Sequence, residues 1–364
     1  MNKIVVAGYH GFENAGDDAT LITIINSIRS NDEKAKITVL SWNPKLTEEL
    51  YKVKATYRFN PFTVLAKIIG CNVLVLGGGT LLQDATSKRS NTYYLGLIRI
   101  AKLFGKKVML YSNGLGPFSE EGKKQTAKVL EKVDLITLRE NFAKSLLDEM
   151  KVTKPEVVIT ADPAFTLGSM IDEKEKLTVI ERENIPTDKK LVGLSIRSAR
   201  GEEEYKKIIA KLCDYIIEKY DCNILFIPFQ YPKDLKISDE IVDVMKNKAY
   251  VVREKNSVKE IINLISNCYM TISMRLHSLI FSAIANVPSL GIVYDPKVDH
   301  YCKLLGAEKL GTNIDLDFDF ASEKVDIIMN NYVNIKDNLK ARTDELSASA
   351  KDTEALLGKL LKKS

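Results

Sequence analysis

Short apolar runs recur along the chain, many of them β-branched and bounded by glycine or polar residues. In the first half they fall at 3–7, 37–40, 73–76, 107–111, 135–138 and 157–160. Stretches with apolar positions at helical spacing lie among them, at 19–30, 93–104, 120–131 and 141–150. The runs do not alternate with polar positions, so both faces of the sheet they build should be covered. Alternation of strands and helices in this order predicts a doubly wound parallel sheet.

The rhythm breaks between 167 and 190, a charged stretch that carries Pro186 and is expected to be an interdomain linker. A second series follows, with strands expected at 191–196, 223–229, 249–252, 269–272 and 289–293. Helices are expected at 203–219, 238–246, 258–266 and 276–285. The tail, 322–364, reads as a charged helical segment that either folds back on the first lobe or frays. The expected architecture is therefore α/β, with two doubly wound Rossmann-like lobes facing across a cleft. The first lobe spans 1–166 and the second 191–321. In open sheets of this kind ligands bind beyond the carboxyl ends of the strands. Residues that carry chemistry should then stand just after strands.

Composition narrows the field. The chain has 364 residues, 45% hydrophobic and 28% charged, which suits an ordinary globular protein. Its 53 basic and 48 acidic residues leave a net charge of +5, without the basic stripe of a nucleic-acid binder. Such an excess fits small anionic substrates or the face of an anionic membrane. The five cysteines contain no CxxC pair and read as buried reduced thiols. None of the three histidines is spaced like a metal ligand, so no metal is expected. The N-terminal apolar run is too short for a secretion signal, and no stretch reaches the roughly 18 apolar residues that span a bilayer. A cytosolic protein is expected.

Three glycine-rich loops follow strands of the first half. The first is Gly8-Tyr9-His10-Gly11-Phe12-Glu13-Asn14-Ala15-Gly16-Asp17-Asp18. It is neither a Walker A loop nor a GxGxxG loop, and it places carboxylates at a helix start, where a phosphate favours bare N–H groups. A hydroxyl-binding loop is the expectation, with Asp17 accepting a proton from a sugar hydroxyl and His10 touching the acceptor; the alternative is that Asp17 or Asp18 caps the helix. The second is Gly77-Gly78-Gly79-Thr80 and the third Ser112-Asn113-Gly114-Leu115-Gly116-Pro117. Together with Asn14, the residues Gly78, Gly79, Thr80 and Asn113 suggest a floor for a bulky polyhydroxyl ligand. Arg139 and Asp162 also follow strands, and an exposed salt bridge is the plainer expectation for such an arginine.

In the second half three strands end in cations: Arg197, Arg275 and Lys297. Their shared placement points to a convergent anion pocket suited to a ligand with both phosphate and carboxylate. Arg275 and His277 sit at an expected helix N-terminus, which adds to the attraction. His277 titrates near neutrality as a residue type and is the leading general acid/base candidate.

As an ordered set these motifs resemble the polysaccharide pyruvyl transferases, in particular the CsaB type. The residues that carry the resemblance are the loop from Gly8 to Asp17, Gly77-Gly78-Gly79-Thr80-Leu81-Leu82-Gln83-Asp84, Asn113-Gly114-Leu115-Gly116-Pro117, Asp162-Pro163-Ala164-Phe165, Arg197, Arg275-Leu276-His277 and Tyr294-Asp295-Pro296-Lys297. The resemblance implies a GT-B-like fold and transfer of an enolpyruvyl unit from phosphoenolpyruvate to a sugar, as a pyruvate ketal. It implies no cofactor beyond phosphoenolpyruvate as co-substrate. In the CsaB type the acceptor is a lipid-linked ManNAc–GlcNAc precursor of a cell-wall polymer whose ketal S-layer homology domains read. Carried over by motif, Arg197, Arg275 and His277 hold or activate the donor, Leu276 lines its pocket and Lys297 is a further contact. Small departures, Asp18 where Glu is common and Ser112-Asn113 where Gln often precedes the glycine, bear on the acceptor. Two rivals share the pattern: a GT-B glycosyltransferase using a nucleotide sugar, and a non-catalytic glycan-binding protein. A lipid-linked acceptor implies transient contact with the inner membrane face. The segment 59–67 is a candidate for it, with a buried helix as the plainer alternative.

Overall fold

Apolar strands with no polar side need cover on both faces, and the chain provides it twice. The computed structural model describes residues 1–85 and 87–363. These form two units, each built on a parallel sheet. Unit 1 comprises Met1–Glu13, Asp17–Thr166 and Leu346–Ser364; unit 2 comprises Asn14–Gly16 and Leu167–Glu345.

The strands of unit 1 are β1 (Lys3–His10), β2 (Lys36–Ser41), β3 (Lys54–Tyr57), β4 (Val73–Gly77), β5 (Lys107–Asn113), β6 (Leu135–Leu138) and β7 (Glu156–Ile159). They lie in the order β3-β2-β1-β4-β5-β6-β7, so the chain reverses its winding direction between β1 and β4. The accompanying helices are α1 (Ala15–Asn31), α2 (Pro44–Tyr51), α3 (Pro61–Ile69), α4 (Lys88–Leu103), α5 (Glu120–Leu130) and α6 (Asn141–Glu149). Buried residues of α3 to α6 form one core with the sheet, including Ile68, Leu95, Ile98 and Leu147. Leu21, Ile24 and Ile28 of α1 belong to a second core, to which Leu357, Leu360 and Leu361 of the C-terminal helix also belong.

Unit 2 runs through α7 (Thr178–Arg182), β8 (Lys190–Ser195), α8 (Glu202–Tyr220), β9 (Cys222–Phe226), α9 (Lys233–Val242), β10 (Tyr250–Val251) and α10 (Val258–Ser266). It continues with β11 (Cys268–Ser273), α11 (Leu276–Ile284), β12 (Ser289–Val293), α12 (Pro296–Leu305), β13 (Glu308–Thr312) and α13 (Phe318–Asn330). The order is β10-β9-β8-β11-β12-β13, with the reversal between β8 and β11. The last helix, α14 (Tyr332–Lys362), begins in unit 2 and ends in unit 1.

The edge strands β3 and β13 escape the sequence pattern because their residues are half exposed and mixed in polarity. The segment 167–190, expected as a linker, is counted with unit 2 and tied to α10. The Asn263 amide donates to the Met170 carbonyl at 2.9 Å and accepts from the Asp172 N–H at 2.7 Å. All five cysteines are free and buried, and burial pushes the Cys71 thiol up to about 11 and the Cys268 thiol up to about 12. No helix among the described residues is long and apolar enough to cross a membrane.

The end of α14 is held by packing and by buried hydroxyls. The Thr353 hydroxyl donates to Thr160 Oγ1 at 2.7 Å and lies 3.1 Å from Ser112 Oγ. Leu357→Ala, at a side chain with no exposed surface, should lower the stability of unit 1 by about 3 kcal/mol. Urea unfolding monitored on unit 1 measures this, and a loss under about 1 kcal/mol would mean the tail merely rests on the surface.

Candidate active site

At the reversal of the first sheet, strand ends carry buried polar groups. His10 closes β1 with no exposed surface, and neither ring nitrogen has a hydrogen-bond partner. Burial first, and the Arg58 cation second, push its imidazole down to about 3, so it is neutral at working pH. A Cβ on Gly8 would collide with this ring and with the Gly77 carbonyl, so glycine is what lets the imidazole lie there. Asn113, at the end of β5, is equally buried, and its amide oxygen and nitrogen both lack partners. The hydroxyl of Thr80, in the loop after β4, lacks one too. A Cβ on Gly114 would stand 2.6 Å from both Thr80 Oγ1 and Glu140 Oε1, which locates these groups around the same turn. Gly78 and Gly79 hold φ of +95° and +63°, left-handed values that glycine adopts without strain. The Asp17 carboxylate stands beside Gly79, 3.7 Å from where a Cβ would be.

Arg58 supports this rim. It donates to the Gly8 carbonyl at 2.9 Å and to the Tyr94 hydroxyl at 3.1 Å. Its guanidinium lies 4.8 Å from the Tyr93 ring centre and 5.2 Å from that of Phe59. Arg139 and Asp162, at the ends of β6 and β7, form an ion pair at 2.5 Å with essentially no exposed side-chain surface. The expected exposed salt bridge is thus a buried one, because both strand ends are covered.

At the reversal of the second sheet, Ser195 of β8 and Ser273 of β11 are register partners, and Ser273 also pairs with Gly291 of β12. Arg197, Arg275 and Lys297 follow these three neighbouring strands and so share one edge. Arg275 caps the start of α11 and is almost wholly buried. Its Nε donates to Asp234 Oδ2 at 3.0 Å, while Nη2 donates to the other carboxylate oxygen and, at 3.4 Å, to Gln230. Nη1 takes no part in these bonds. Asp234 also accepts from the Phe229 and Gln230 N–H groups at 3.1 and 2.9 Å. Arg197 donates to the Tyr294 hydroxyl at 2.9 Å, with its guanidinium 4.5 Å from that ring's centre. Lys297 has Asp295 3.6 Å away. The three cations are therefore not bare; two of them stand beside carboxylates. The Ser195 hydroxyl, on the same edge, is buried without a partner.

His277 is the second residue of α11, half-buried beside Leu276, with its ring edge-on to Phe281 at 6.3 Å between centres. Asn14–Gly16, counted with unit 2, packs here. The Ala15 N–H donates to the Phe229 carbonyl at 2.9 Å, and Asn14 Oδ1 accepts from the Gly16 N–H at 3.0 Å. A Cβ on Gly16 would collide with Nδ1 of His277. Asn14 thus shapes the turn beside His277 and is counted with unit 2.

Within unit 1 the structure brings together His10, Thr80, Asn113 and the Gly78-Gly79 turn, with Asp17 alongside. Within unit 2 it sets Arg197, Arg275, Leu276, His277 and Lys297 on one edge. Sequence reasoning passed over Arg58, Glu140, Ser195, Gln230 and Asp234. Arg58 had a signal in its aromatic neighbours Tyr57 and Phe59. Asp234, in the first turn of α9 and well past the end of β9, had no such signal.

The chain is 24% identical to the amylovoran biosynthesis protein AmsJ of Erwinia amylovora, over 98% of this chain and 97% of that one. Its fold is shared with S. aureus MnaA solved with UDP, at TM-score 0.70 and 11% identity, covering 98% of this chain and 95% of the other. It is shared also with Anabaena Alr3699/HepE solved with UDP-glucose, at TM-score 0.68 and 9% identity over the full length of both. The fold is GT-B-like, two parallel-sheet α/β units. A family model, polysaccharide pyruvyl transferase, matches residues 14–296, from the turn beside His277 to the start of α12. With well over half of its length inside that match, the chain belongs to the polysaccharide pyruvyl transferase family.

Proposed function

We propose that this chain moves the enolpyruvyl unit of phosphoenolpyruvate onto a sugar and closes it into a pyruvate ketal, releasing phosphate. The observation that carries the reading is the start of α11. There Arg275 is oriented by Asp234 with Nη1 outside that pairing, and His277 stands two residues on. Arg197 and Lys297 follow the flanking strands, and Ser195 offers a buried hydroxyl. Phosphate and carboxylate both suit such an edge.

The acceptor belongs to unit 1. Its buried groups are a neutral imidazole, an amide and a hydroxyl over a glycine floor. Neutral donors and acceptors match sugar hydroxyls, and each left unpaired costs about 1–3 kcal/mol that a bound sugar would recover. The resemblance to the CsaB type makes that sugar the ManNAc residue of a lipid-linked ManNAc–GlcNAc precursor.

In the proposed reaction, His277 as imidazolium gives a proton to the methylene carbon, making the adjacent carbon electrophilic. A sugar hydroxyl attacks that carbon and its proton passes to Asp17. The carbon–oxygen bond to phosphate then breaks, and phosphate leaves with the bonding pair, met by Arg197, Arg275 and Lys297; it takes up the proton that Asp17 gives back through solvent and departs as hydrogen phosphate. A second hydroxyl of the same sugar adds to the resulting oxocarbenium ion and returns a proton to His277. Donor plus diol thus gives ketal plus hydrogen phosphate, without net oxidation.

Purified protein given phosphoenolpyruvate and the disaccharide acceptor should release phosphate. Release of UDP from a UDP-sugar with none of phosphate would overturn the reading. His277→Ala should lower kcat about 100-fold or more, and near-native turnover would remove His277 from the scheme. Gly16→Ala should push the imidazole aside and cost about tenfold in kcat, with the KM for phosphoenolpyruvate nearly unchanged; an unaltered kcat would separate the Gly16 turn from catalysis. Asp234→Asn should free the Arg275 fork to rotate and raise that KM several-fold, read from steady-state kinetics.

A further inference from the structure

Helix α3 is apolar on the side that faces the sheet and on the side that faces water. Val64 and Ile68 are 5% and 0% exposed and belong to the core. Phe62 is 83% exposed, and Leu65 and Ile69 are close to 40%, so one outward stripe runs the length of the helix. The sole charge in α3 is Lys67. Water-facing apolar stripes on soluble helices usually mark a contact surface.

The stripe continues at both ends. Before α3, Phe59 contacts Trp42 and Tyr57 at about 6 Å between ring centres. Trp42 continues to Phe12 at 5.4 Å, and Phe12 stacks on Tyr9 at 3.9 Å, next in sequence to His10. A largely exposed aromatic band therefore joins α3 to the His10 rim of unit 1. Beside α3, the end of α4 exposes Leu103 and Phe104. Between α4 and α5 a groove of about 640 Å³ has Ile98 and Val129 in its lining, with Arg99, Lys128 and Lys132 among its cations.

Charge identifies the occupant. From 61 to 118 the chain carries seven Lys or Arg residues and a single acidic one, Asp84, with Lys102 and Lys107 both paired to Asp134. The whole net charge of +5 is thus accounted for in this stretch, and the remainder is close to neutral. Exposed aromatics beside clustered cations match an anionic bilayer, whose headgroups meet the lysines and arginines while the rings enter the acyl boundary.

We propose that α3, the aromatic band and the α4–α5 groove dock unit 1 on an anionic membrane surface. This deepens the reading above and rests on it for its purpose: a lipid-linked acceptor would enter the pocket from the bilayer along the aromatic band.

Co-sedimentation of the full chain with vesicles tests this without donor or acceptor. The protein should pellet with equal mixtures of phosphatidylcholine and phosphatidylglycerol. It should remain in solution with phosphatidylcholine alone, and with mixed vesicles at high salt. Phe62→Asp combined with Leu65→Asp should weaken vesicle binding about tenfold or more, and so should Arg99→Glu combined with Lys128→Glu. Turnover on a water-soluble acceptor fragment should stay native, which also shows that the variants fold. Unchanged vesicle binding in either double variant overturns the proposal. So does equal binding to neutral vesicles, or a Phe62-dependent dimer by sedimentation velocity without vesicle binding. Absent pyruvyl transfer alongside intact vesicle binding would sink the catalytic reading and leave the docking surface standing.

Discussion

The bidentate pairing of Arg275 with Asp234 is the constraint from which the second site is built. An arginine taken almost out of water is costly unless a carboxylate meets it with good geometry. Here both partners are buried, and the aspartate is itself satisfied by the Phe229 and Gln230 N–H groups. The fork cannot swing without leaving a buried charge unmet. Its plane is fixed, and with it the direction of Nη1 and the start of α11 that carries His277. The pair thus serves orientation more than stability: a lysine here would keep the charge and lose the plane.

The first site solves a different problem. Its unpartnered groups carry no formal charge, since burial and the neighbouring Arg58 keep His10 neutral, although the Asp17 and Glu140 carboxylates stand nearby. Unpartnered polar atoms inside a protein are a standing cost. Several at one sheet reversal, His10, Asn113 and Thr80, are explained more simply by a ligand than by separate accidents of packing. Arg58 meanwhile has its charge spread over aromatic faces and its N–H groups on Gly8 and Tyr94, so it stiffens the rim.

The central strands of both sheets were legible in the sequence because residues buried on both faces leave an unbroken apolar run. The edge strands β3 and β13 were not, because half-exposed residues such as Lys54 and Lys309 break it. The candidate residues at the ends of central strands are marked by position alone: Arg197, Arg275, His277, Asn113. Their partners were harder. Asp234 meets Arg275 from forty-one positions away, and pairing over that distance leaves no local pattern. Arg139 was read as exposed since nothing in a single sequence says what covers a strand end. Asn14 was placed with the sugar floor by loop membership, whereas its backbone bridge to Gln230 puts it with unit 2.

Under the proposed reaction, the division of charge between the two units follows the chemistry of a group transfer. A donor with phosphate and carboxylate asks for cations of fixed direction. If those cations were unpaired they would also hold the departing phosphate too firmly for turnover. In the proposed reaction, carboxylates at Asp234 and Asp295 would temper Arg275 and Lys297 while leaving attraction enough to bind the donor and stabilise the leaving group. A sugar asks for the opposite: neutral hydrogen-bonding groups, dry surroundings and flat apolar faces. His10, Asn113 and the rings from Tyr9 to Phe59 supply those in unit 1. A protein that only held glycans would need the second of these arrangements and would have no use for an oriented arginine beside a histidine.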